Sequence, residues 1–305
     1  MGNSIKDKVE SSDLLNDKCD CVPYEPIQGY STGYYYEYEP TFATDAQFNP
    51  NNNDEILYLE QGANIPDAIY KLNLLTNQKE LIYSGGVIYN PVWGKQDWIV
   101  FSLLAGNQIW KIKSNGDSLS QVTYGGFWFH PKWNFTGDEF TAYRGFVNPN
   151  EYYQGGVWSV DGALVDTFSW ISSLGDWNNS NDYFGVAKQN IFKVINPYTN
   201  QTLSTISSGD TNVFFGGFRW ISDSEGIIIK RGGIYRINIW TKKMTQLKCV
   251  CNSVQYSNGS VSNDGTKILY IRNTFTRFGG SGLSVINHIV TIDTQLGTEI
   301  VLNVP

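Results

Sequence analysis

Two histidines, His130 and His288, are the only imidazoles in the 305 residues. His130 sits in Phe127-Trp128-Phe129-His130-Pro131, and His288 in Asn287-His288-Ile289. Neither has a His, Asp or Glu neighbour at metal-ligand spacing, so each reads as a structural or surface imidazole. The chain holds no G-x-S-x-G elbow, no P-loop and no strand-to-helix glycine fingerprint. Carboxylates are plentiful, but Asp54, Asp97, Asp138, Asp182, Asp223 and Asp264 recur at one position of a repeat, inside polar turns. Asp in such a place bonds nearby backbone N–H groups and forms the turn. There is no D-x-D-x-D loop, and structural calcium at one or two of these turns stays an open alternative. No residue is assigned a catalytic role, and no cofactor is expected.

Four cysteines form two copies of one pattern, Cys19-Asp20-Cys21 and Cys249-Val250-Cys251. Residues i and i+2 of a strand share a face, so the pairs could meet across strands. Three readings stand: two disulfides tying the N-terminal tail to the last strand of a fifth blade, a four-thiolate zinc site, or unconnected thiols. Disulfides imply an oxidising compartment. C-x-C is tight for zinc, whose usual spacing is C-x(2–4)-C.

The elements that must position these residues come from a repeat. An aromatic-led strand, a polar turn and an apolar strand are followed by a segment of the form Ile-aromatic-x-Ile. Clear copies of that segment begin at Ile69, Ile109, Val157, Ile191 and Ile234, and a weaker one at Ile289. The period is roughly 40–45 residues, the length of one four-stranded propeller blade. One blade cannot bury both faces and must stack on neighbours. Apolar runs bounded by turn residues, such as Trp98-Ile99-Val100-Phe101 and Ile268-Leu269-Tyr270-Ile271, suit strands buried on both faces. No segment shows a capped helical period. The predicted fold is all-β, a six-bladed β-propeller of four-stranded antiparallel blades over residues 41–305. Residues 1–40 read as a tail with a short edge strand at Tyr30–Pro40, where Tyr34, Tyr36 and Tyr38 share one face.

In such a ring the d-to-a and b-to-c connections emerge on one face. Long b-to-c insertions are predicted at Phe146–Gly156 and Thr274–Asn287, and the d-to-a connections include Tyr124, Phe127 and Trp128. The candidate binding residues on this loop face are Trp128, Arg144, Tyr152, Tyr153, Phe214, Arg231, Phe275, Arg277 and Phe278. Aromatics interspersed with Arg make protein-contact hot spots. The same set could stack on a sugar or hold a small ligand in a central funnel. Phe127 and Phe214 have a framework reading too, as packing between blades.

Composition narrows the partners. Net charge is −7, with no Lys/Arg cluster, which argues against nucleic acid. No apolar run reaches the ~18 residues of a membrane span. Aromatic content is 15% and charged content 17%, so Tyr, Asn, Ser and Gly face water in place of Lys and Glu.

Several blade segments resemble the TolB-like propeller repeat. They are Pro91-Val92-Trp93 with its turn to Asp97, Pro131-Lys132-Trp133 with Gly137-Asp138, Phe218-Arg219-Trp220 with Ser222-Asp223, and Asn263-Asp264-Gly265-Thr266-Lys267. Ile109-Trp110-Lys111-Ile112 with Asn115-Gly116 matches the family's later strand. The likeness covers about Thr41 to Pro305 and resides in the series, not in any single motif. It departs at blade four, which keeps little beyond Trp177. TolB's α/β domain has no counterpart in the 40 residues before the repeat. The resemblance implies a propeller-only bacterial protein outside the cytoplasm, periplasmic or tethered at the outer membrane as a lipoprotein. It would act as a scaffold for another envelope protein; the alternative is a carbohydrate-binding or carbohydrate-processing propeller.

Overall fold

The computed structural model describes residues 35–38, 40–144, 154–168, 175–188, 191–207, 215–230, 233–251, 254–278, 282–302 and 304. The chain folds as six four-stranded antiparallel blades, with no helix among the described residues. The strand β1 (Tyr35–Tyr38) precedes the first blade. Blade one is β2 (Thr41–Asn49), β3 (Asn52–Gly62), β4 (Ala68–Asn73) and β5 (Gln78–Ser84). Blade two is β6 (Ile88–Trp93), β7 (Trp98–Leu103), β8 (Gln108–Lys113) and β9 (Ser120–Gln121). Blade three is β10 (Trp128–Trp133), β11 (Glu139–Arg144), β12 (Gln154–Ser159) and β13 (Leu164–Phe168). Blade four is β14 (Gly175–Trp177), β15 (Phe184–Lys188), β16 (Ile191–Ile195) and β17 (Thr202–Ser207). Blade five is β18 (Phe215–Trp220), β19 (Glu225–Lys230), β20 (Gly233–Asn238) and β21 (Met244–Cys249). Blade six is β22 (Val254–Val261), β23 (Lys267–Phe278), β24 (Gly282–Asp293) and β25 (Glu299–Val301).

The core lies between blades. Leu57, Leu59 and Ile69 of blade one pack with Ile88, Trp93, Ile99 and Phe101 of blade two. Val157 and Phe168 of blade three meet Trp177 and Phe184 of blade four. The last interface closes the ring: Phe48, Ile56 and Tyr58 pack on Leu269, Ile271 and Ile289 of blade six. Each fully buried Leu, Ile or Phe contributes about 1.5–3 kcal/mol relative to exposure. That explains why the middle strands read as unbroken apolar runs. Blade four, weakest in sequence, still forms because Phe192, Val194 and Ile206 pack on Phe218 and Trp220 of blade five.

The seam between blades one and six carries two long-range hydrogen bonds. Phe48 N–H donates to Ser260 Oγ at 3.2 Å, and Asn263 N–H to Asn53 Oδ1 at 2.8 Å. β1 pairs in parallel with β24, Tyr35 opposite Gly282 through Tyr38 opposite Val285. β25 pairs with the other end of β24, at Val290 to Ile292. A segment just upstream of blade one therefore extends blade six.

The predicted insertion at Thr274–Asn287 needs correction. Thr274–Phe278 continue β23 and pair with Gly282–Ile286, so the b-to-c connection of blade six is a lengthened hairpin. The alternation Thr-Phe-Thr-Arg-Phe, β-branched and aromatic, is strand-forming by composition.

Candidate functional site

The inner strands build the site. Four of them end in a buried tryptophan: Trp93, Trp133, Trp177 and Trp220. Trp133 Nε1–H donates to the Val92 carbonyl at 3.0 Å, and Trp220 Nε1–H to the Asp176 carbonyl at 3.0 Å. Each of these bonds ties one inner strand to the strand of the preceding blade. The residue before the strand's closing Phe, Trp or Val lines the channel. In chain order these are Gln47, Val92, Lys132, Asp176, Arg219 and Ser260, and all six border one cavity.

Two residues earlier the strands bulge. Register shifts fall between Thr44 and Gln47, Tyr89 and Val92, Phe129 and Lys132, Gly216 and Arg219, and Ser257 and Ser260. At this place Asp45, Asn90, His130 and Gly217 have φ of 50°, 48°, 51° and 59°. Gly, Asn and Asp tolerate that left-handed conformation best. A bulge re-aims side chains, and here it turns Asp45 and Asn90 toward the channel.

The cavity has a volume of about 320 Å³. Its rim is made of turns joining first and second strands, including Pro50, Lys95, Phe135, Asn179 and Asn263. It therefore opens on the side opposite the loop face. Neighbouring turns on this side are stitched together. Asn51 Nδ2 donates to the Lys95 carbonyl at 2.9 Å, and Phe135 N–H to Asn181 Oδ1 at 2.6 Å. Asn178 Nδ2 and Ser180 N–H both donate to Asp223 Oδ1 at 3.0 Å.

Inside the cavity two carboxylates face two cations. Asp45 accepts the Asn90 backbone N–H at 3.2 Å and Asn90 Nδ2–H at 3.0 Å. Asp176 Oδ2 accepts the Trp220 N–H at 3.3 Å. Burial pushes both carboxyls up, against the pull of Lys132 and Arg219 and of these donors. Arg219 is 4% exposed. It donates from Nη1 to the Phe218 carbonyl at 2.6 Å and from Nε to the Gly259 carbonyl. A Cβ on Gly259 would lie 2.3 Å from the Tyr270 ring, so glycine is what lets that carbonyl stand there. Lys132 is pulled down to about 7, first by burial and then by Arg219, with Asp176 and Asp45 opposing. His130 is pushed down to about 4 by burial and by Lys132. Its ring stacks on Tyr143, centroids 4.9 Å apart.

Of the sequence-predicted residues, the structure brings few together. Trp128 is buried, a correction: it packs edge-on against Trp158 with ring centroids 5.1 Å apart and donates Nε1–H to the Gly125 carbonyl at 3.0 Å. Tyr124 and Phe127 are instead exposed, at 74% and 37%. Arg144 is exposed beside them, its Nε 2.8 Å from where a Cβ on Gly126 would lie. Phe275 is half-buried in β23, opposite Val285. Arg277 and Phe278 stand at the end of β23, opposite Leu283 and Gly282. Tyr152, Tyr153, Phe214, Arg231, Cys19 and Cys21 lie outside the described residues. Cys249 and Cys251 are both disulfide-bonded. The turn carboxylates behave as turn formers at Asp138 and Asp264. Asp264 Oδ1 accepts Ser262 Oγ–H at 2.6 Å and the Thr266 N–H at 3.1 Å, and these bonds hold its carboxyl down.

No protein-family model matches the chain, and no curated protein matches it. Solved structures match by fold. The propeller domain of the Trilobed protease from Pyrococcus furiosus is 12% identical, covering 87% of this chain and 98% of that one, with a TM-score of 0.56. Pyrococcus horikoshii acylaminoacyl peptidase is 12% identical over 86% of this chain, with a TM-score of 0.54. This chain spans 52% of that peptidase's length. TolB from Acinetobacter baumannii is 14% identical, with a TM-score of 0.44. At these identities the likeness shows a six-bladed propeller and no particular family.

The channel residues were missed by sequence reasoning although their signals were present. Asp45, Asn90, His130 and Gly217 all stand three residues before a Phe or Trp at or next to the end of the inner strand. A left-handed position recurring at blade period marks a bulge, and the polar residues beside it mark what the bulge presents.

Proposed function

We propose that the protein is a non-catalytic binding propeller of the bacterial cell envelope that docks a partner protein on its loop face. One observation carries the reading. Val87, Leu104, Tyr124 and Phe127 are all exposed at the d-to-a and b-to-c connections of blades two and three, with the Arg144 guanidinium beside them. The patch is tied to the framework: Leu104 N–H donates to the Val87 carbonyl at 3.0 Å, and Trp128 N–H to the Asn107 carbonyl at 2.9 Å. A rigid patch holding aromatics and an Arg is pre-organised for contact. The envelope location rests on the disulfide bonding of Cys249 and Cys251, which needs an oxidising compartment.

The test is capture of an envelope partner by the wild type and by Tyr124→Ala/Phe127→Ala. Loss of capture with an unchanged melting temperature supports the patch; equal capture by both overturns it. A second reading, a carbohydrate held in the central funnel, is favoured by the polar cavity. A glycan array distinguishes it, since a specific glycan with no protein partner would displace the docking reading.

A further inference from the structure

We propose that the channel mouth on the turn side is a binding site for a carboxylate-bearing small molecule, with Lys132 and Arg219 receiving the carboxylate. The site is independent of the loop-face patch, because the two open on opposite ends of the ring.

The argument begins from which groups are already satisfied. Asp45 is capped twice by Asn90, and Asp176 accepts from Trp220. Gln47 spends Nε2 on the Pro91 carbonyl at 2.6 Å. Arg219 spends Nε and Nη1 on backbone carbonyls. Lys132 differs from all of these. Among the described residues its ammonium makes no hydrogen bond and no close ion pair; Asp176, Asp45 and Arg219 act on it only through their charge. An ammonium carries three donors and no acceptor. Lys132 is half-buried, so these donors stay open to the channel, where a ligand oxygen can take the place of water. The anions of this cavity have donors, whereas one cation lacks an acceptor. An incoming oxyanion supplies the acceptor that Lys132 lacks, and a hydroxyl on the same molecule could donate to Asn90 Oδ1, which is buried without a donor.

Charge narrows the class. With all four inner groups ionised, Asp45 and Asp176 balance Lys132 and Arg219. A single-charge carboxylate adds one negative charge beside two carboxylates, whereas a doubly charged phosphate adds two at greater repulsion. At the rim, Lys95 Nζ lies 3.2 Å from the centroid of the Phe135 ring and adds a cation along the entry path. Asp264, also at the rim, has its carboxylate engaged by Ser262 and Thr266. A volume of about 320 Å³ is at the small end of ligand pockets, which run from about 300 to 1,000 Å³.

Binding should couple to protonation. An anion beside Lys132 favours its charged form, so affinity falls as pH rises through the range where the free ammonium loses its proton. The charged and titratable groups facing it are Arg219, Asp176, Asp45 and His130.

The experiment is calorimetric and NMR titration of the full chain with acetate, succinate, glucuronate and inorganic phosphate at constant ionic strength, at pH 6.0 and pH 8.5. At least one carboxylate is expected to bind the wild type more tightly than phosphate. Its affinity should drop at least fivefold from pH 6.0 to 8.5. Lys132→Met should lose tenfold or more in affinity at pH 6.0, while Lys132→Arg binds with no pH dependence over this range. No carboxylate binding by the wild type, tighter binding of phosphate, or equal affinity in Lys132→Met would each overturn the proposal. Melting curves of both variants show that they fold. Tyr124→Ala/Phe127→Ala should bind the carboxylate unchanged, which keeps this test separate from the loop-face reading.

Discussion

Asn90 of blade two donates its backbone N–H and its Nδ2–H to the carboxylate of Asp45 in blade one, at 3.2 and 3.0 Å. Both residues sit at left-handed bulge positions, φ 48° and 50°. The pair therefore joins blades one and two at the place where their inner strands turn a side chain into the channel. Asn90→Gly keeps the backbone geometry and removes the side-chain donor. A hydrogen bond to a charged group is worth about 1.5–3 kcal/mol, so a loss of this order is expected in urea unfolding. No change would mean that Asp45 is satisfied by other groups.

Lys132 should weaken the fold. Its ammonium is held near 7 in the folded protein and near 10.4 in an unfolded chain. Between those values the unfolded chain keeps a proton that the folded one gives up, so this group's contribution to stability rises with pH across that window. Lys132→Met is expected to raise the melting temperature at pH 6, with the gain shrinking toward pH 9. A lower melting temperature at pH 6 would show that the ammonium is a net stabiliser of Asp45 and Asp176.

His130 combines a backbone constraint with a ring contact. At φ 51° Asn is tolerated and a β-branched residue is strained by about 1–3 kcal/mol. His130→Asn should cost little beyond the lost stacking on Tyr143, while His130→Val should cost clearly more. The imidazole, held near 4, should remain neutral at pH 6. Its stabilising contribution is present above pH 6.5 and is lost as pH falls toward 4. NMR titration of the ring reads this directly.

Cys249 and Cys251 are both disulfide-bonded, and Cys19 and Cys21 are the other two cysteines of the chain. We propose that the tail is cross-linked to this edge of blade five. Peptide mapping without reductant should recover residues 19–21 joined to 249–251. Reduction should destabilise the protein by about 2–5 kcal/mol, as removal of native disulfides commonly does. Recovery of a Cys249–Cys251 link alone would contradict the cross-link.

The blade framework was legible because its causes are local and repeated. Runs such as Ile56-Leu57-Tyr58-Leu59 announce a strand buried on both faces, and the polar turns mark where each strand stops. Turn carboxylates such as Asp264 were legible for the same reason. The channel was not, because its charged groups, Asp45, Lys132, Asp176 and Arg219, come from four different blades, and each looks like a substitution in a framework motif. Lys132 and Arg219 were read only as members of their Trp-ending segments. Trp128 and Phe127 are neighbours on opposite sides of one strand start, so a one-residue difference in facing decides which is core. Thr274–Phe278 falls in the stretch that interrupts the repeat before Ile289, yet its composition favours a strand.

The central claim, that a partner docks on the loop face, is tested most directly by hydrogen exchange of the protein with and without its captured envelope partner. The account predicts slowed exchange at residues 103–108 and 123–128, with the turns at 94–97 and 134–138 unaffected. Protection confined to those turns, or absent from both sides, would contradict it.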